Sequence, residues 1–262
     1  MPKIAIGIEY DGTALSGWQA QPGQRSVQQA LAQALSRVAD EPVEVVGAGR
    51  TDAGVHALGQ VAHFETRARR EPRQWVLGAN SLLPEDIRVQ WAAEVPDDFD
   101  ARRSALARTY RYLVLEAPVD APLLRTRVWR RRQTLDVAAM TAAAVAWLGE
   151  NDFSSFRAAG CQSRTPMRRL TCVRIARSGR LVVFEFTANA FLHHMVRNLV
   201  GTLVEIGDGR KPPSWAGELL AARDRRLAAE TAPARGLTLV GVAYPERFGL
   251  PRAPSRGPWP LE

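Results

Sequence analysis

One short stretch of the sequence, VVGAGRTDAGVHALGQVAHFE from Val45 to Glu65, places an arginine and an aspartate two residues apart inside a glycine-rich turn. Gly47, Gly49 and Gly54 give the backbone freedom for a tight excursion and keep side-chain bulk away from Asp52. Thr51 can stiffen the turn through its hydroxyl. An aspartate in such a turn has two readings. It caps the turn, as aspartates often do, or it is a carboxylate presented for acid, base or nucleophilic work. Capping alone gives no reason for Arg50, two residues earlier.

Two further stretches supply groups that would complete a site. In LARTYRYLV, Tyr110 stands near the start of a strand, where its ring could stack on a flat base and its hydroxyl reach a proton. In NAFLHHMVRNLVGTLVEIG, Leu192, Met195, Leu199, Leu203 and Ile206 form a core-facing stripe, and Arg197 falls on another side. An arginine near a buried carboxylate would hold it charged. Other short matches carry no chemistry. Gly47-Ala48-Gly49 lacks the third glycine of a dinucleotide fingerprint, and a carboxylate in its place would repel a pyrophosphate. His63-Phe64-Glu65 has the form of a zinc-deaminase motif, but no P-C-x-x-C follows it. His193 and His194, read as adjacent residues of one helix, would point about 100° apart. No metal site is expected.

The elements that must position these residues follow from periodicity. Lys3–Tyr10 alternates Ile4, Ile6 and Ile8 on one face of a strand. Ser26 opens a helix, with Gln29 in the capping-box position. Residues 43–46 and 60–65 read as short strands on either side of the turn, 72 onward as a helix begun by Pro72, and 87–95 as a strand. The second half reads as strand 108–116, helix 136–148, a hairpin of 170–175 with 181–187, a long helix 190–206 and strand 237–244. Each half is thus β-α-β-β-α-β, the split βαβ pattern. The expected fold is α+β, two ferredoxin-like halves sharing one extended mixed or antiparallel sheet, with helices on one face, the other face open, and a central cleft. The expected organisation is 1–104, 105–244 and a loose proline-rich tail, 245–262.

The chain has 262 residues, 46% of them hydrophobic, enough for a full core. No apolar run is long enough for a membrane helix, and MPKIAIGIEYDG runs directly into a strand pattern rather than a leader, so a cytoplasmic protein is expected. The net charge is +8, nearly all of the cations being arginine, with concentrations at 67–73, 102–111, 125–132 and 164–169. Codon composition explains such a bias, yet the field it creates attracts polyanions.

These stretches together resemble the tRNA pseudouridine synthase family that acts on the anticodon stem-loop, the TruA type. GRTDAGVHA from Gly49, YDGTALSGWQAQPGQRSVQQAL from Tyr10, ARTYRY from Ala107, FLHHMVRNLVG from Phe191 and ARGLTLVGVAY from Ala234 match its motifs in order. The resemblance implies isomerisation of uridine to pseudouridine at positions 38, 39 and/or 40 of tRNA, by a homodimer without metal or organic cofactor. It places the catalytic aspartate at Asp52, the arginine that holds the flipped nucleotide at Arg50, the base-stacking tyrosine at Tyr110, the arginine paired with the aspartate at Arg197, and part of an apolar floor at Leu237. Two other functions compete with it. A non-catalytic RNA-binding protein would explain the charge but not Asp52, and a nucleoside hydrolase would need a place for water and a second carboxylate.

Overall fold

A computed structural model of the chain describes residues 1–251 and divides them into two compact units, Met1–Leu106 with the segment from Thr238 onward, and Ala107–Leu237. The last strand among the described residues, read from sequence as the close of the second half, therefore groups with the first unit. Among the described residues, no helix is long and apolar enough to cross a membrane.

The first unit runs β1 (Lys3–Tyr10), α1 (Val27–Ala39), β2 (Val46–Gly47), β3 (His56–Glu65), α2 (Pro72–Leu82) and β4 (Ile87–Val95). Strand β1 lies between β4 and β3, antiparallel to both. Ile4, Ile6 and Ile8 face Phe64, Ala62 and Gln60 across the β1–β3 pair. Phe64 then meets Trp75 of α2 edge-on, with ring centroids 5.1 Å apart. Both rings are about 1% exposed; burial of a large side chain on this scale stabilises by ~1.5–3 kcal/mol.

The other face of this sheet is not bare. Ala5 and Val61 pack with Phe99, Ala101 and Phe248, and Tyr244 joins them. Phe99 touches His63, Tyr244 and Phe248 at ring distances of 5.8, 5.2 and 5.1 Å. The expectation of a loose tail from residue 245 thus fails over its first part. Glu246–Phe248 is a 3₁₀ turn that seats Phe248, 4% exposed, in the core. The single aromatic, without periodicity around it, gave no pattern to read. The rest of the tail, 252–262, lies outside the described residues.

The second unit runs β5 (Ala107–Glu116), β6 (Trp129–Arg131), α3 (Val137–Ala144), β7 (Gly149–Asp152), β8 (Met167–Ser178), β9 (Leu181–Ala188), α4 (Met195–Gly207) and α5 (Trp215–Ala222). Strands β5, β9, β8 and β7 are antiparallel in that order, and β6 adds parallel to β5. The final strand, β10 (Leu237–Ala243), pairs parallel with β3 through Thr238 and Leu239. Mixed strand directions beside helices bear out the α+β class.

Two helices are shorter than their apolar patterns suggest. The 136–148 pattern becomes α3, capped by the Asp136 carboxylate accepting from Ala139 N at 2.9 Å, followed by a 3₁₀ turn over Val145–Trp147. The 190–206 pattern becomes α4 only from Met195, because His194 takes a left-handed conformation, φ +61°, at its N-cap. His193 and His194 therefore do not diverge as successive helical residues; their rings lie 4.0 Å apart.

Candidate active site

Arg50 and Asp52 sit on the loop that joins β2 to β3. Their order of exposure alternates along the chain: Arg50 is exposed, Thr51 buried at 7%, and Asp52 half-buried. Thr51 is the anchor. Its hydroxyl is 2.8 Å from the Tyr10 hydroxyl, and its carbonyl accepts from Trp18 N at 3.0 Å. Gln60 Nε2 donates to the Gly49 carbonyl at 2.9 Å, and Ala48 N donates to Val61 O at 2.8 Å. Downstream of Asp52, Val55 N returns to the Asp52 carbonyl at 3.2 Å, with Gly54 at φ +78°. A positive φ at the third position of such a turn is the reason for glycine there. The backbone on both sides of the carboxylate is thereby tied to β1, β3 or the 11–26 segment.

That segment, part of the stretch from Tyr10 that resembles the family's opening motif, contributes residues with no chemistry of their own. Gly12 and Gly17 press against the loop: a Cβ on Gly12 would meet the Val55 carbonyl at 2.1 Å, and one on Gly17 the Thr51 carbonyl at 2.5 Å. Gly17 also has φ +88°. Their signal is the glycine spacing in YDGTALSGWQ, legible only once the partner loop is known. Of the loop's own glycines, Gly47 makes way for the Trp18 ring, which would lie 2.4 Å from a Cβ on Gly47, whereas a Cβ on Gly49 would have nothing within 4 Å. The role expected of Gly49 in clearing bulk is not needed.

The helix after this segment begins differently from the capping-box reading. Ser26 makes no side-chain cap bond, and its buried hydroxyl has no hydrogen-bond partner among the described residues. The first N–H groups are satisfied instead by backbone: Val27 N donates to Gly17 O at 3.2 Å and Gln28 N to Trp18 O at 3.0 Å. The same two residues thus hold both the helix start and the aspartate loop. A bidentate pair between Arg25 and Asp86, at 2.7 and 2.6 Å, clamps the segment from outside. Strand β2 is shorter than the 43–46 reading because Val43 N bonds to Ser36 Oγ and Val45 O accepts from Gln28 Nε2.

Tyr10 is a structural hydroxyl rather than a titrating one. Burial pushes its pKa up to about 12, against the smaller opposing effect of its bonds to Thr51 and Gln60. It stays protonated at any neutral pH. His63, of the rejected metal motif, accepts from Ala101 N through Nδ1 at 3.1 Å, and burial pushes its pKa down.

The remaining candidates belong to the second unit. Tyr110, on β5, is 8% exposed; its ring meets Phe191 edge-on at 5.2 Å, and it stands opposite Phe186 in the β5–β9 pair. Arg197, in the first turn of α4, is not a plain surface arginine. Its Nε donates to Ala232 O at 2.7 Å, and Ala232 N returns to Arg197 O at 3.2 Å. Gly201, one turn on, lets the same segment approach, since a Cβ there would meet the Glu230 carbonyl at 2.1 Å. Asn198, fully buried, accepts from Arg225 and Thr231 and donates to Phe156 O. The helix is consequently buried on nearly all sides, beyond the stripe read from sequence. Tyr112 donates to Pro233 O at 2.7 Å, and burial raises its pKa against the nearby charges of Arg197 and Arg235. Leu237 is 6% exposed at the head of β10. Arg50 and Asp52 thus share one loop of the first unit, and Tyr110, Arg197 and Leu237 share the second.

The chain is similar to known proteins. The profile of the family described as tRNA pseudouridine synthase matches residues 6–102 and 143–245. A protein of Enterobacter sp. (strain 638) named tRNA pseudouridine synthase A is 54% identical over 252 residues, which is 96% of this chain and 93% of that one. A protein of the same name from Salmonella paratyphi B (strain ATCC BAA-1250 / SPB7) is 56% identical with the same coverage. Among solved structures, the crystal structure of the archaeal box H/ACA sRNP Nop10-Cbf5 complex aligns at a TM-score of 0.37 and 13% identity, covering 89% of this chain and 46% of that one.

Proposed function

The chain belongs to the tRNA pseudouridine synthase family, and from that membership we propose that it isomerises uridine to pseudouridine in tRNA, at positions 38, 39 and/or 40 of the anticodon stem-loop. The observation that carries the proposal is the setting of Asp52. A half-buried carboxylate stands on a loop whose neighbours are each fixed by a hydrogen bond or a close glycine contact. Such pre-organisation is what positioned chemistry requires and what a turn cap does not.

Uridine in a stem-loop hides its glycosidic bond and C5 within the stack. The enzyme must first turn the nucleotide out, at a cost of about a few kcal/mol, least near a loop. Arg50, exposed and next to the anchored Thr51, takes the vacated space or the flipped phosphate. Tyr110 stacks on the uracil and Leu237 excludes water beside it, so that the detached base is retained. Asp52 initiates the exchange. The C1′–N1 bond breaks, C1′–C5 forms, C5 loses its proton and N1 ends protonated, so that no atom is gained or lost. Attack on the sugar, addition to the ring and removal of a sugar proton are three routes to this outcome, and all want Asp52 ionised. Pairing with Arg197, as the family resemblance implies, would aim the group. The protein acts as a homodimer in the cytoplasm, one subunit gripping the tRNA body through its arginines while the other modifies the loop.

Incubation of the protein with unmodified tRNA, followed by digestion to nucleosides, tests the reading. Pseudouridine at 38–40 supports it. Free uracil with an abasic tRNA would instead reveal a hydrolase, and unchanged tRNA held in a complex would reveal an RNA-binding protein.

A further inference from the structure

Beside the Asp52 loop the first unit holds a cavity of about 100 Å³ that shares Arg50 with the proposed reaction and whose other lining residues that reaction leaves unused. Its volume is on the scale of one base-sized ring. Three features of its lining are chemical. First, β2 forms one wall, and its ladder fixes which way its polar groups point. Ala48 N bonds to Val61 O, towards β3, so strand alternation turns Gly47 N–H and C=O outward. Gln28 Nε2 reaching the Val45 carbonyl agrees that this edge faces away from β3. Gly47 therefore offers a backbone donor and acceptor side by side. Second, Gln19 lines the cavity with its Nε2 committed to Gln28 Oε1 at 2.7 Å, which leaves its Oε1 to accept. Third, Arg50 and Arg102, both exposed side chains, complete the lining, and no carboxylate belongs to it.

A small flat ring with a donor and acceptor edge, carried between anionic groups, is a nucleobase in a phosphodiester chain. We propose that this cavity is a second base-binding subsite, taking one unstacked pyrimidine of the RNA close to the target uridine. It deepens the function proposed above and rests on it. Asp52 is two residues from Arg50, at most ~7 Å along the chain, so the captured base is one or two nucleotides from the reacting one. Capture of a neighbour would hold the strand open while the target is turned out. Gly47 is needed here for the Trp18 ring, which leaves no room for a Cβ.

The test is a set of tRNAs, each carrying a single abasic nucleotide at one position flanking the target, bound by wild type and by Val46→Trp. Val46 is 39% exposed and lines the cavity, so a tryptophan there fills the mouth without entering the core. Affinity is read by fluorescence anisotropy, which does not depend on turnover, and pseudouridine formation is followed separately. One abasic position should weaken wild type by ~10-fold, the scale of one base contact, and should leave Val46→Trp unaffected. Equal responses of the two proteins at every position would overturn the subsite, even with pseudouridine formed. If Val46→Trp unfolds, Gln19→Ala is read by the same criterion. Absence of pseudouridine with intact wild-type protein would strike the proposed function itself, which the binding data keep distinct.

Discussion

Replacing Gly17 by alanine should slow the chemistry without touching a catalytic group. Gly17 lies at φ +88°, and a Cβ there would stand 2.5 Å from the Thr51 carbonyl, 3.0 Å from the Asp52 carbonyl carbon and 3.1 Å from Ala53 N. Restoring the first contact to 3.4 Å requires a relative movement of about 0.9 Å. Neither side yields easily. Gly17 is tied to the start of α1 through its own carbonyl, and Thr51 is tied to Tyr10 and Trp18. Shared between the two, the shift moves Asp52 by several tenths of an ångström, and misplacement of a reacting group by 1 Å costs ~10²-fold in rate. The expected fall in kcat is therefore ~10-fold, with KM little changed. Gly23→Ala is the matched control, since Gly23 has φ +70° but nothing within 4 Å. Both variants should lose ~1–3 kcal/mol of stability from backbone strain, measured by urea unfolding, and only Gly17→Ala should lose rate in a tritium-release assay. A Gly17→Ala enzyme as fast as Gly23→Ala would refute the argument that this contact sets the position of Asp52.

Three further outcomes follow from the same packing. Tyr10→Phe and Thr51→Val should each cost ~1–2 kcal/mol, and the double variant should cost ~1 kcal/mol less than their sum, because one change strands the partner hydroxyl and both together do not; strict additivity in urea titrations would contradict the pairing. Phe248→Ala should cost ~3–5 kcal/mol by the same method, as expected of a buried aromatic and not of a tail residue. His63, facing Asp100, Lys3 and Glu65, has its folded pKa lowered chiefly by burial, so the unfolded chain binds its proton first; its contribution to stability is intact above about pH 7 and declines as pH falls below the unfolded value near 6.5. His63→Asn, which keeps an acceptor for Ala101 N, should flatten that decline in unfolding curves taken from pH 7.5 to 5.5.

How much of this was legible in the sequence depended on whether the cause was local. The alternation in Lys3–Tyr10 and Arg108–Glu116 gave both strands because successive side chains of a strand point to opposite faces. Arg50 and Asp52 stood out because a glycine-rich turn surrounds them. What was missed has a distant partner. Ser26 resembles a capping residue, yet Gly17 and Trp18 satisfy the helix start, and that contact exists only when the 11–26 segment folds back. Phe248 gave no pattern, because one aromatic entering a core assembled from β1, β3 and Phe99 has no period. The helix at 190–206 begins late because His194 turns left-handed, which apolar spacing does not report. Tyr10 and Gly17, in effect the supports of the aspartate loop, carry no chemistry of their own and were legible only as part of the stretch that resembles the family's opening motif.

The most direct test of the central claim compares wild type with Asp52→Asn on tRNA carrying tritium at C5 of uracil. Wild type should release tritium to water with the RNA intact, and Asp52→Asn should be slower by ~10³-fold or more while binding tRNA about as tightly. Release at near wild-type rate by Asp52→Asn would contradict the claim, and would move the chemistry away from the loop that carries Arg50 and Asp52.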